Sequence, residues 1–293
     1  MKFDADIILL AGPTASGKTA AAIELASQAD ATIINTDSMQ VYDALRIISA
    51  RPSHEEEAQA NHQMFGHVPA SRNYSVAAWL NDVKDVLERE LASRRKVIFA
   101  GGTGLYFNAL VNGISPIPEP DKLVREKWRK AAVKTPDKLH ELLMERDPQI
   151  ASRLEAGDTQ RILRALEVFE DTGKSLLFWQ AQKSESLLPK DIQVEKLVLM
   201  PERSVLHERI NARFDTMVAE GGVEEVKQLQ ALELPSELPV MKAIGVPQIC
   251  AFLDGVETLE AAIEQAKAAT RQYAKRQSTW FKNSFDADWK MLL

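Results

Sequence analysis

The stretch GPTASGKTAAAIELA, Gly12–Ala26, decides the fold. From Gly12 to Thr19 it fits G-x-x-x-x-G-K-[ST], with the apolar run IILLA before it and an alanine-rich helical pattern after it. Glycines permit a turn that directs backbone N–H groups at phosphate oxygens, Lys18 adds a positive charge, and the Thr19 hydroxyl is placed to bind Mg²⁺. The pattern predicts a diphosphate site formed by Gly12, Pro13, Thr14, Ala15, Ser16, Gly17, Lys18 and Thr19.

Composition is typical of a globular protein, because 45% of the 293 residues are hydrophobic and 27% are charged. The single cysteine, Cys250, excludes an internal disulfide and favours a reducing compartment. The apolar run near the N-terminus is too short for a signal or membrane helix, so we expect a cytoplasmic protein. The net charge is −6, yet basic residues cluster at 94–96, 124–130, 160–164 and 273–277. A nucleic acid would therefore bind a local patch.

Strand-like and helix-like segments alternate in the first part of the chain. The predicted strands are Asp6–Ala11, Ala31–Asn35 and Lys96–Ala100, and the predicted helices are Lys18–Gln28 and Val76–Ala92. This alternation predicts an α/β fold with a parallel sheet flanked by helices, as in P-loop NTPases. The carboxyl ends of parallel strands share one edge. Three loops are expected there, namely Gly12–Thr19, NTDSMQ at 35–40 and GGTGLY at 101–106.

The pattern changes at SPIPEPD, 115–121, where prolines indicate a boundary. From Lys122 to about Lys183 the apolar residues recur with helical spacing, and the strand-like VEKLVLM, 194–200, then returns to the sheet. We expect a catalytic core in two parts, 1–118 and 191–293, interrupted by an all-helical insertion domain, 119–190.

Several polar residues of these loops are candidates for function. Asp37 follows the second strand, where it could hold a Mg²⁺-bound water, accept a proton, or only cap a turn. Thr103 offers a hydroxyl among the glycines of its loop. Arg161 and Arg164 share a helical face, and Lys275 and Arg276 lie among aromatic residues in YAKRQSTWF, which suits RNA contact or an ordinary solvated helix face. The histidines and the cysteine show no zinc spacing.

Taken together, the motifs resemble those of the tRNA dimethylallyltransferases, the family that transfers a five-carbon prenyl group to an adenine beside the anticodon. The resemblance covers nearly the whole chain and is carried, in order, by GPTASGKT, NTDSMQVY, GGTGLYFNAL, DTQRILRALEV, RINARFDTM, MKAIGVPQ and ATRQYAKRQSTWF. At 47–53 the chain reads IISARPS where many members read GTAKP, and at 61–62 it reads NH where a double histidine is usual.

The resemblance implies a role for each candidate residue. The phosphate loop would hold dimethylallyl diphosphate and not ATP, and Asp37 would remove the proton from the N6 amino group of the adenosine. Lys18, Thr19 with Mg²⁺, and Arg213 would stabilise the leaving diphosphate, with Thr19 and Asp37 as the metal residues and Thr103 beside the accepting nucleotide. The helical insertion would clamp the anticodon stem-loop. The expected tRNA contacts are Asp37, Ser38, Met39, Gln40, Thr103, Arg125, Gln160, Arg161, Ile162, Leu163, Arg164, Lys275 and Arg276.

Other functions remain open at this point. A P-loop small-molecule kinase would place ATP on the loop, although no lid arginine cluster is evident. A transferase acting on a free adenine nucleotide would not need the long helical insertion. A nucleotide-binding switch would need a guanine-reading N-K-x-D segment, which the sequence lacks. We expect a monomer, because one chain supplies both the fold and the RNA clamp.

Overall fold

The computed structural model describes residues 5–182 and 185–292. Four residues of the predicted core at 1–4, one at 293 and two of the predicted insertion, 183 and 184, lie outside the described residues. Two compact units are present: the first comprises 1–111 and 187–293, and the second comprises Asn112–Ser186.

The first unit is built on a six-stranded parallel sheet in the described part of the chain, with strand order β3-β2-β4-β1-β5-β6. The strands are β1 (Ile7–Ala11), β2 (Thr32–Asn35), β3 (Asn61–Gln63), β4 (Val97–Gly101), β5 (Val194–Leu199) and β6 (Trp289–Leu292). The predicted α/β class with a parallel sheet is confirmed. The sequence did not predict β3 or β6, which are short edge strands of mixed polarity.

Helices cover both faces of this sheet, which explains why β1 reads as a continuous apolar run and is buried throughout. Ile7 and Leu9 belong to one buried cluster, while Ile8 and Leu10 belong to the other, as expected when side chains alternate across a strand. The helices of this unit are α1 (Lys18–Ala29), α2 (His54–Glu57), α3 (Val76–Ala92), α4 (Gly104–Asn112), α10 (Arg203–Ala219), α11 (Gly222–Gln230), α12 (Val246–Leu253) and α13 (Leu259–Ser284).

The second unit is helical in its described residues and follows α4 in the chain, between β4 and β5. Its helices are α5 (Lys122–Lys134), α6 (Leu139–Arg146), α7 (Pro148–Ala151), α8 (Thr159–Thr172) and α9 (Leu176–Gln180). They pack around a core of their own that includes Trp128, Leu143, Ile162 and Leu166. This helical unit, Asn112–Ser186, begins and ends slightly earlier in the chain than the predicted insertion, 119–190.

Among the helices that the structure describes, none is both long enough and apolar enough to cross a membrane.

Candidate active site

The loop between β1 and α1 has the geometry of an anion site. Gly17, at φ 93°, is the N-cap of α1 and provides no side-chain cap, so the first-turn N–H groups and the positive end of the helix dipole stay available to an anion. A Cβ atom at Gly12 would lie 2.7 Å from Ser16 Oγ and 2.8 Å from the Leu199 carbonyl oxygen. Glycine is therefore required at this position by the close approach of the chain.

Two basic side chains add positive charge to this loop. Lys18 Nζ donates to the Pro13 carbonyl at 2.7 Å, and Arg213, on α10, donates to Thr14 Oγ1. Burial lowers the pKa of Lys18 to about 7, while the charge of Asp37 opposes this shift and that of Arg213 adds to it. Burial also lowers the pKa of Arg213, against the effect of Asp37. The negative charge of Asp37 thus offsets the burial of these two cations only in part, and an anion bound beside them would stabilise their charged forms.

The Asp37 carboxylate takes part in the turn after β2. The backbone N–H of Asp37 donates to Asn35 Oδ1 at 2.9 Å, and its own Oδ1 accepts from the Met39 N–H at 2.9 Å. Among the described residues no side chain or backbone group donates to its Oδ2. Oδ1 therefore fixes the turn after β2, and Oδ2 takes no part in that turn.

Thr103 ties the loop after β4 to the loop after β2. Its hydroxyl accepts from the Ser38 N–H at 3.0 Å and donates to Ser38 Oγ at 3.3 Å, and its own N–H donates to the Thr36 carbonyl at 3.1 Å. A Cβ atom at Gly101 would collide with the Thr36 backbone. The predicted convergence of the loops at one sheet edge is confirmed, and glycine makes it possible here.

Gln277, on α13, joins the phosphate loop to the loop after β4. It is 6% exposed; its Oε1 accepts from the Thr14 N–H at 2.9 Å and its Nε2 donates to the Gly102 carbonyl at 2.8 Å. The sequence pattern placed Gln277 only in a basic-aromatic run and did not indicate this role. Its helical spacing from buried Ala274 and Phe281 was the available signal, because all three share one face of α13.

Two cavities meet at these loops. The larger, of about 570 Å³, is lined by the phosphate loop, including Lys18 and Thr19, and by Arg209. The smaller, of about 330 Å³, is lined by apolar side chains such as Phe214 and Met217 and also by Lys242, Tyr273 and Arg276. In the part of the chain that the structure describes, five residues line both cavities, namely Thr14, Asp37, Ser49, Ala50 and Arg213. A ligand with an anionic end and an apolar end would thus pass Asp37 at the junction.

Tyr273 lies in the smaller cavity. The sequence pattern indicated no role for it beyond membership of an aromatic run. Burial raises its pKa, and the negative charge of Asp37 raises it further. The phenol is therefore protonated at neutral pH and can donate a hydrogen bond.

The predicted metal residues, Thr19 and Asp37, both line the larger cavity. Within the described residues no group of three or more His, Cys, Asp or Glu side chains could hold a metal ion. Mg²⁺, however, is commonly bound by one or two protein oxygens together with phosphate and water oxygens. The oxygen donors of these two residues fit that type of site.

The residues predicted to contact tRNA fall into three groups. Ser38, Met39 and Gln40 are partly exposed and belong to the first unit, where the Gln40 amide donates to the Ala50 carbonyl at 2.7 Å. Lys275 and Arg276 are exposed on α13.

The third group belongs to the helical unit. Gln160 and Arg161 are exposed on α8, where Arg161 pairs with Asp158 at 3.3 Å. Leu163 and Arg164 are half-buried, and Arg164 donates to the Pro118 carbonyl at 3.3 Å. Arg125 pairs with Glu119 at 2.9 Å. Ile162 is fully buried in the core of the unit, so its side chain packs against neighbouring helices, and contact with a ligand would fall to its exposed neighbours.

Comparison with known proteins identifies the relatives of this chain. Residues 40–284 match the family model described as IPP transferase. The tRNA dimethylallyltransferase of Chelativorans sp. (strain BNC1) is 52% identical over 283 residues, which cover 96% of this chain and 97% of that protein. The protein of the same name from Rhizobium johnstonii is 49% identical over 286 residues, 97% of this chain and 96% of that protein.

Solved structures agree with this relationship. The tRNA isopentenylpyrophosphate transferase of Bacillus halodurans is 31% identical with a TM-score of 0.69, and the match covers 98% of this chain and 89% of that one. A eukaryotic dimethylallyltransferase captured acting on tRNA is 28% identical with a TM-score of 0.82, over 98% of this chain and 73% of that one. With its phosphate loop, its parallel sheet and these full-length similarities, the chain belongs to the tRNA dimethylallyltransferase (IPP transferase) family of prenyltransferase enzymes.

Proposed function

We propose that this protein transfers the dimethylallyl group of dimethylallyl diphosphate to N6 of an adenosine next to the anticodon of tRNA, with release of diphosphate. The observation that carries the proposal is the junction of the two cavities at Asp37, Thr14 and Arg213. The larger cavity suits the diphosphate because the phosphate loop lines it, and the smaller cavity suits the hydrocarbon because Ile210, Phe214 and Met217 line it. The reacting carbon would then lie near the Asp37 carboxylate.

Asp37 is the general base in this proposal. The N6 amino group is a poor nucleophile because its lone pair is delocalised into the adenine ring. As the bond from N6 to the allylic carbon forms, the bond from that carbon to the diphosphate oxygen breaks, and Asp37 Oδ2 accepts the N6 proton. The hydrogen bond from Met39 to Oδ1 keeps the carboxylate in one orientation.

The leaving diphosphate would be stabilised by the first-turn amides of α1, by Lys18 and by Arg213. Thr19 and Asp37 would hold Mg²⁺, which when bound would neutralise negative charge on the diphosphate oxygens. The apolar wall that includes Phe214 and Met217 would exclude water, which otherwise would capture the electron-poor allylic carbon.

The accepting RNA would be bound through its phosphates and unpaired bases. The exposed residues Arg161, Lys275 and Arg276 suit phosphate contacts, and the anticodon loop offers an adenosine that is already unpaired, so that its extrusion costs only a few kcal/mol. We propose that the helical unit clamps the stem-loop, and that the protein acts as a cytoplasmic monomer.

The test is mass spectrometry of nucleosides from unmodified tRNA incubated with the protein, Mg²⁺ and dimethylallyl diphosphate. A parallel reaction contains ATP in place of the prenyl diphosphate. An adenosine heavier by one dimethylallyl group in the first reaction alone is the expected result. Consumption of ATP without any prenylated nucleoside would instead support a P-loop kinase.

A further inference from the structure

A turn at residues 46–48 is held by an internal carboxylate. The backbone N–H groups of Arg46 and Ile47 donate to Glu225 Oε1 at 2.7 and 2.8 Å, and that of Ile48 donates to Glu225 Oε2 at 2.8 Å. Successive backbone N–H groups that converge in this way form an anion-binding concavity. Here the anion is a side chain of the protein itself, on α11.

The turn leads directly into a wall of the candidate active site. Ser49 and Ala50 are among the residues that line both cavities. Ala50 has a positive φ of 53°, a backbone conformation that costs energy for a residue with a side chain. Gln40 accommodates this conformation by donating to the carbonyls of Ser49 and Ala50, at 3.1 and 2.7 Å. The backbone conformation of Ser49 and Ala50 therefore depends on hydrogen bonds from residues outside this segment, such as Gln40.

The same turn is packed closely against the first residue of α11 and the N-cap of α12. A Cβ atom at Gly222 would lie 2.9 Å from Ile48 Cδ1, and one at Gly245 would lie 3.0 Å from Ile48 Cγ2. Gly221 and Gly222 join α10, which carries Arg213, to α11, which carries Glu225. Glu225 thus connects the wall at 49–50 to the helix pair that supplies a cation to the phosphate loop.

We propose that Glu225 is a positioning residue that sets the affinity for the prenyl diphosphate by fixing the wall at Ser49 and Ala50. This inference rests on the proposed function. A carboxylate is required because the three N–H donors use both of its oxygens as acceptors. An amide would offer one oxygen and would turn an NH₂ group toward a backbone donor. Glu225 contacts no substrate atom in this account and acts through the turn alone.

The experiment compares Glu225→Gln with Glu224→Gln in the full-length protein. Glu224 is the adjacent residue of α11, exposed and paired with Lys227 at 3.6 Å, so it controls for loss of a carboxylate on this helix. Amide hydrogen exchange at 46–50 measures how firmly the turn is held. Steady-state kinetics, with dimethylallyl diphosphate and tRNA varied in turn while the other is saturating, measure the KM for each substrate. A melting curve of each variant reports the overall fold.

In Glu225→Gln we expect faster exchange at 46–50 and a KM for dimethylallyl diphosphate raised roughly tenfold, the size expected for loss of one charge-assisted hydrogen bond. The kcat value and the KM for tRNA should change much less. Glu224→Gln should match the unsubstituted protein in every measurement. If Glu225→Gln does not fold, Glu225→Asp, which keeps both oxygens on a shorter side chain, should show the same rise in KM to a smaller extent.

An unchanged KM for the diphosphate in folded Glu225 variants, or a rise confined to the KM for tRNA, would overturn the inference. Absence of prenyl transfer by the unsubstituted protein would instead contradict the proposed function, and the exchange measurement would still report whether Glu225 holds the turn.

Discussion

Gln277 Oε1 accepts a hydrogen bond of 2.9 Å from the backbone N–H of Thr14, across 263 positions of sequence. Through the second bond of Gln277, to the Gly102 carbonyl at 2.8 Å, the C-terminal helix fixes the spacing of two loops of the candidate site. Their relative position therefore depends on a residue of α13 that lies far from both in the sequence.

Replacing Gln277 with Leu leaves a backbone donor and a backbone acceptor unpaired. We expect Gln277→Leu to lower the free energy of unfolding by about 1–3 kcal/mol and to lower kcat/KM. Urea denaturation and steady-state kinetics measure the two effects. Gln272→Leu, at an exposed position of the same helix, is the matched control. Equal effects of the two substitutions would show that the bridge has no special role.

Gly101→Ala tests the close approach of the loops after β2 and β4. The new methyl group would collide with the Thr36 backbone, which cannot move without disrupting the sheet edge. We expect a loss of stability of at least about 3 kcal/mol, measured by urea denaturation. Gly157→Ala is the control, because a Cβ atom there meets nothing within 4 Å. If the urea concentration at the midpoint of unfolding were the same for Gly101→Ala and Gly157→Ala, the proposed collision with the Thr36 backbone would be contradicted.

The pKa of Lys18, lowered to about 7 chiefly by burial, predicts a pH dependence of diphosphate binding. The ammonium form attracts the anion, and this form is lost as the pH rises through 7. Binding should therefore weaken above pH 7, and at pH 8 it should draw a proton onto Lys18. Calorimetry of inorganic diphosphate binding in two buffers of different ionisation enthalpy measures the proton uptake. Equal uptake by Lys18→Met and by the unsubstituted protein would exclude Lys18 as its source.

The exposed arginine of α8 tests the proposed RNA contacts of the helical unit. Arg161→Ala should weaken tRNA binding and reduce the slope of log K against log salt by about 1, because one phosphate contact is lost. Filter binding over a range of salt concentrations measures this slope. Lys84→Ala, which removes an exposed cation on α3, should leave the slope unchanged. The RNA would be assigned to another surface if the two variants had the same slope.

Much of the architecture follows from local sequence. The strand Ile7–Ala11, its glycine loop and the helix from Lys18 are specified by neighbouring residues, since backbone turn, burial and helix start each have a local signal. The helix Val76–Ala92 matches its predicted bounds because Ser75 caps it and its apolar face is regular. The edge strand Asn61–Gln63 was missed because its polar side chains carry no alternating pattern and its pairing comes from β2.

The candidate site was predictable only where a motif carries it. The loop around Lys18 and the residue Asp37 follow strands and could be assigned to one edge of the sheet. Gln277 and Glu225 could not be found in this way, because each acts through backbone groups brought near by tertiary packing. Lys242, which lines the smaller cavity, lies in MKAIGVPQ, a motif that carried the family resemblance but indicated no role for this residue.

We propose that Asp37, at the junction of the two cavities, removes the proton from N6. Asp37→Asn preserves an oxygen for the Met39 N–H but not the base, and Asp43→Asn is the matched control, since Asp43 Oδ1 accepts from the Ala70 N–H at 3.1 Å and lines neither cavity. The decisive measurement is the single-turnover rate of prenyl-adenosine formation with saturating tRNA and dimethylallyl diphosphate. We expect a fall of roughly 10²–10⁴-fold for Asp37→Asn, with the melting temperature nearly unchanged, and no fall for Asp43→Asn. A rate for Asp37→Asn within a few-fold of the unsubstituted protein would contradict this role of Asp37.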